Sequence, residues 1–89
     1  MNMMKIVSTT DHILSAEKEH AHNMPHDINI ENDGMMYIVE YGPYRVTIEP
    51  RLVGVMVLYK NKGEDRRTQV FARSIEDYMG RERPPFMHR

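Results

Sequence analysis

Residues 27–50 read DINIENDGMMYIVEYGPYRVTIEP, and the period of two running through them decides the fold. Ile28 and Ile30 alternate with Asn29 and Glu31, as they would on a half-buried strand. Asn32-Asp33-Gly34 then supplies tight-turn chemistry and predicts a β-hairpin into a second strand over Met35–Tyr41. Gly42-Pro43 breaks that strand. Tyr44, Val46 and Ile48 alternate with Arg45, Thr47 and Glu49, which predicts a third strand with one wet face, ended by Pro50. Three strands joined by short turns make an antiparallel meander, and the rest of the chain is read outward from it.

Downstream, Leu52–Tyr59 is apolar on both faces and predicts a central strand, with Gly54 marking a bulge or a close backbone approach. Val55 and Val57 should share its most buried face. Asn61-Lys62-Gly63-Glu64-Asp65 reads as a polar loop and Arg66–Ala72 as a further, more polar strand. Ser74 with Asp77 three residues on has capping-box spacing, so a short helix follows, with Ile75, Tyr78 and Met79 turned inward and Gly80 ending it.

Upstream, Met4–Val7 reads as a short strand. Ser8, with Asp11 three residues later, reads as the N-cap of a helix from about Thr9 to Ala21. The apolar members of that helix are only Ile13, Leu14, Ala16 and Ala21, which predicts a surface position, and Pro25 bars its continuation. The fold class is therefore α+β: an N-terminal helix, a meander of four to five strands and a short C-terminal helix, forming one domain over residues 1–82. Residues 83–89, with Pro84-Pro85, read as an extended tail.

A chain of 89 residues buries only a little over ~60% of its unfolded surface, so docking onto a partner or a second copy would supplement a thin core. With 28% charged residues the composition is globular. The absence of cysteine removes disulfides, thiolate metal sites and a cysteine nucleophile. No apolar run reaches the ~18 residues of a membrane span, and the first residues lack the apolar core of a signal peptide, so a cytoplasmic protein is expected. Net charge is −1, but residues 1–40 carry two basic against seven acidic side chains, and residues 41–89 carry ten against six. Such asymmetry marks a dipolar surface unless folding intermixes the two halves.

His20, His22 and His26 beside Asp27 suggest a metal site, since imidazole and carboxylate are good ligands. The spacing opposes it, because residues two apart on a helix point ~200° from one another. No metal and no cofactor are expected. There is no glycine-rich phosphate loop and no nucleophile elbow, and pairs such as Glu76/Asp77 are accounted for by a helix N-terminus, so no catalytic residues are assigned.

Two binding readings remain. The tail places Phe86 and Met87 between Arg83 and Arg89, an anchor-and-charge composition suited to a protein partner. The alternative is that the tail folds back and covers the core. Arg45, Arg66 and Arg67 with Tyr44 and Tyr59 resemble a stacking-and-phosphate surface for single-stranded nucleic acid. Against that, the tyrosines could cap the core, and Glu40 and Glu49 lie among the arginines. The helix–meander–helix order resembles that of the double-stranded-RNA-binding domain. The last helix here is shorter and carries no lysine cluster, so no residue roles transfer. By elimination, the expected function is that of a small non-catalytic accessory or regulatory protein that binds another protein, an inhibitor or modulator of an enzyme complex in the style of phage-encoded and bacterial proteins. A nucleic-acid-binding module is the alternative, and a homo-oligomer is compatible with either.

Overall fold

The computed structural model describes residues 3–23, 27–82 and 84. A long helix, α1 (Met3–His22), precedes five strands and a short helix: β1 (Ile28–Asp33), β2 (Met36–Tyr41), β3 (Tyr44–Pro50), β4 (Val55–Asn61), β5 (Arg67–Ala72) and α2 (Ile75–Met79). The strands form one antiparallel sheet in the order β1-β2-β3-β4-β5, so each pairs with its neighbour in the chain. This is the helix, five-strand meander and short helix that the alternation predicts.

The turns follow from glycines placed where the chain needs a left-handed residue. Gly34 has φ 64° between β1 and β2, and Gly42 has φ 56° between β2 and β3. Register follows from these turns: Ile30 faces Val39, Val39 faces Val46 and Val46 faces Tyr59. Because strand side chains alternate, one face collects Val39, Tyr41, Val46, Ile48, Val55 and Val57, all buried. α1 lies over this face, against β3 and its neighbours, and contributes Ile6, Ile13 and Ala21 to the same core. Each such aliphatic side chain withdrawn from water is worth about 1.5–3 kcal/mol, and this single layer supplies most of the apolar stabilisation.

Several local expectations change. Met4–Val7 is not a strand and Ser8 is not a cap, for α1 already begins at Met3. Ile6 is buried against the sheet, and the Thr10 hydroxyl donates to the Ile6 carbonyl at 2.8 Å, the i−4 bond available only in a helix. Nor is α1 a surface helix. Its inner stripe is completed by Thr9, Thr10 and Glu17, polar by type but buried here, so counting apolar residues understated it.

Leu52 and Val53 also lie outside the sheet. The Arg51 N–H donates to the Gly54 carbonyl at 2.7 Å, closing a turn that leaves Leu52 90% exposed, and β4 starts at Val55. Gly54 is the close approach its position suggested, since a Cβ there would stand 2.7 Å from the Ala72 carbonyl oxygen. Val55 and Val57 are fully buried as expected, with Met56 and Leu58 on the opposite face.

α2 begins at Ser74, whose Oγ accepts the Asp77 N–H at 3.0 Å, the expected cap. Asp77 returns the interaction by accepting the Arg73 N–H at 3.1 Å, and Arg81 stands 3.4 Å from its carboxylate. The Arg73 bond chiefly, aided by the Arg81 charge against a smaller opposing effect of burial, holds the Asp77 carboxyl below the ordinary carboxylate value. Of the three side chains expected to turn inward, Tyr78 is buried and Ile75 half-buried, but Met79 is 65% exposed because a helix of five residues has only one inner edge.

Candidate functional site

Two features of the fold draw functional interest: a polar network inside it and a sheet face outside it. In the network, the Tyr59 hydroxyl donates to the Tyr78 hydroxyl at 2.9 Å, and the Tyr78 hydroxyl donates to the Glu17 carboxylate. Glu17 is fully buried. The chain of hydroxyls therefore ends on a carboxylate beneath α1 and ties together α1, β4 and α2. Nearby the His20 ring stands edge-on to Tyr41, and Tyr41 edge-on to Tyr44, with centroids 6.0 and 5.6 Å apart. Every one of these groups faces the core, so the network reads as structural.

The sheet face turned away from α1 has a different character. Among the described residues no helix covers it, yet its centre is apolar: Met36, Ile38, Met56, Leu58 and Phe71 all point there by strand parity. Ile38 is 8% exposed, while Met56, Leu58 and Phe71 are half-buried. A shallow trough of about 260 Å³ runs over the face, lined by Ile38, Thr47, Leu58, Arg45, Lys60 and Arg67.

Register arranges this face in rows that cross the strands. One row runs Asn29, Glu40, Arg45, Lys60, Arg67, and the next runs Glu31, Ile38, Thr47, Leu58, Gln69. The following row contains Asp33 beside Met36 at one edge, then Glu49, Met56 and Phe71. Carboxylates therefore gather toward β1 and β2, and cations toward β4 and β5. Within the sheet, the acidic-to-basic asymmetry of the sequence is kept in space, because a meander lays its strands side by side in chain order.

The residues expected to bind nucleic acid are divided by the sheet. Tyr44 and Tyr59 are 3% and 2% exposed beneath α1, where they cap the core. Arg45 and Arg67 lie exposed on the opposite face, and Arg66 is exposed in the β4–β5 loop. The structure brings the cations Arg45, Lys60 and Arg67 into one row but gives them no exposed tyrosine. The same parity was readable at β3, where Tyr44 and Arg45 are adjacent and must diverge.

The tail candidates Arg83, Phe86, Met87 and Arg89, like His26, lie outside the described residues; within that segment Pro84 is described and is buried. His22 is exposed and His20 is turned toward Tyr41, so these two histidines do not converge. The apolar rows of the open face are the feature that reading strand by strand missed. Met36, Ile38, Met56 and Leu58 are legible as alternate positions, but which face a lone helix covers is set by tertiary packing.

No helix among the described residues is long and apolar enough to cross a membrane. No protein-family model matches the chain, and comparisons with curated proteins and with solved structures return no match. The class is therefore defined by the architecture itself: an α+β meander with one helix-covered face and, among the described residues, one open face.

Proposed function

We propose that this protein works without catalysis, as a small cytoplasmic accessory or regulatory protein that binds another protein chain through the open face of its sheet. One observation carries the reading. Five apolar side chains are assembled in the middle of a rigid sheet, flanked by carboxylates on one side and cations on the other, and no described element covers them. That is the arrangement of an interface core with a polar rim, and a rigid sheet loses little entropy when it docks. A modulator of an enzyme complex would use the face in this way.

The test is capture of a binding partner by immobilised protein, comparing wild type with Leu58→Asp and Met56→Asp. Both substitutions place a charge in the apolar rows without entering the core beneath α1. Loss of capture with an unchanged melting temperature is expected, and capture indifferent to both variants rejects the reading. Tight binding to single-stranded nucleic acid, falling by about 0.7 log unit per log unit of salt for each phosphate contacted and weakened by Arg45→Ala, would replace it with the nucleic-acid reading.

A further inference from the structure

Resting on that reading of the open face, we propose that its occupant is a second copy of this chain, packed face to face about a two-fold axis running along β3. The rows of the open face match about that strand. Glu40 and Lys60 flank Arg45 on either side, and Ile38 and Leu58 flank Thr47. Met36 and Met56 stand on β2 and β4 at the level of Glu49. At the β2 and β4 positions flanking β3, each row is apolar on both sides or opposite in charge on the two sides.

A two-fold along β3 exchanges the β2 side of one copy with the β4 side of the other. It sets Ile38 of the second copy on Leu58, Met36 on Met56 and Glu40 on Lys60, with Thr47 against Thr47 on the axis. Each off-axis contact occurs twice, as an isologous interface requires. The acidic β1–β2 side of each copy then faces the basic β4–β5 side of the other. Arg45 keeps Glu40 as its own cross-strand neighbour, and Glu49 is held by Arg51 at 2.5 Å. Arg45 and Glu49, also on β3, meet their own copies near the axis, a cost that the two Glu40–Lys60 pairs oppose. A net charge of −1 puts little general repulsion between copies.

Size sets the strength. Strands ~4.8 Å apart and rising ~3.3 Å per residue make a face about 20 Å on each side, or about 400 Å² per copy, which lies below the size of stable interfaces and in the range of weak, transient ones. The dimer should therefore form and dissociate in the micromolar range rather than be permanent.

Charge reversal tests the geometry. Glu40→Lys sets lysine on lysine across the axis, and Lys60→Glu sets carboxylate on carboxylate. Mixed together, the two variants make both cross-axis pairs attractive again. Sedimentation velocity from about 1 µM to about 1 mM, spanning the affinities of small interfaces, should find wild type dimeric at the upper end. Each variant alone should stay folded and dimerise at least tenfold more weakly, and the equimolar mixture should recover the dimer. Single variants as dimeric as wild type, or a mixture that stays monomeric, overturn the proposal. A wild type monomeric throughout also overturns it, and if the chain ended at Glu82 then dimerises, residues 83–89 are the occupant instead. Partner capture separates the two levels. A monomeric wild type whose capture is still abolished by Leu58→Asp sinks only the second copy, whereas capture indifferent to Leu58→Asp sinks the protein-binding face as well.

Discussion

Replacing Tyr78 with phenylalanine removes one oxygen and leaves the ring in place, which isolates the buried network from the packing around it. That oxygen accepts from Tyr59 and donates to the fully buried Glu17 carboxylate. A buried hydrogen bond contributes about 0.5–1.5 kcal/mol and leaving a buried partner unpaired costs about 1–3, so removing the oxygen that serves two of them should cost about 2–4 kcal/mol. Domains of this size hold about 4–13 kcal/mol in total, and each kcal/mol is worth about 4–8 °C. A fall of at least about 10 °C in melting temperature is therefore expected, followed by circular dichroism. Glu17→Gln, which keeps an acceptor oxygen, should cost less. The double variant should show a coupling of about 1 kcal/mol or more, because each residue's loss depends on the presence of the other. A Tyr78→Phe protein within about 0.5 kcal/mol of wild type, or a double variant whose cost is the simple sum, refutes the assignment of Glu17 to this network.

Gly54→Ala would press a methyl group to within 2.7 Å of the Ala72 carbonyl oxygen and 2.8 Å of the Phe71 ring; a loss of about 1–3 kcal/mol in urea titration is expected, and none would show that the loop yields. Val55→Asp buries an unpaired charge and should unfold the domain, whereas Thr47→Asp, on the open face, should keep the fold while weakening the dimer; equal melting temperatures would contradict the facing of β3 and β4. For Asp77 the folded carboxyl titrates below its unfolded value, so its stabilisation is complete above the unfolded value and is lost as pH falls through the folded one. Asp77→Asn should melt lower than wild type at neutral pH, and the gap should close on the acid side of the carboxylate range; a gap that does not change with pH counts against the cap.

Where structure is written in neighbouring residues, the chain could be read directly. Gly42-Pro43 turns the chain as expected, the first turn falls on Gly34-Met35 with Asn32 and Asp33 kept in β1, and Ser74 caps α2 with the N–H three residues ahead. The N-terminal helix was harder, because Ile6 and Val7 favour strands when taken alone and are drawn into α1 by the sheet beneath them. Glu17 is the clearest limit. It is buried because Tyr78 reaches it from 61 residues away, and no local period carries that information. Leu52 and Val53 mislead in the opposite sense, as apolar residues held in water by a turn between Arg51 and Gly54. For the open face, each strand's parity could be read but its coverage could not. That the acidic and basic halves stay apart could not be read either, until strand order was known.

The order of strands in the sheet is also the order in which a growing chain would deliver them. β1 through β5 each meet a partner only a turn away, so the sheet can close hairpin by hairpin with short loops and little entropic delay. α1 has the opposite history. Made before any strand, it has no surface to lie on until β2, β3 and β4 exist, and its contact with α2 waits for almost the whole described chain. Of the described elements, the first to be made is thus the last to be seated. Packed on the sheet without joining its ladder of paired strands, it should also be the first to lift away, leaving the sheet paired. Amide exchange faster across Met3–His22 than in β3 and β4 would record this reversal of birth order in the finished protein.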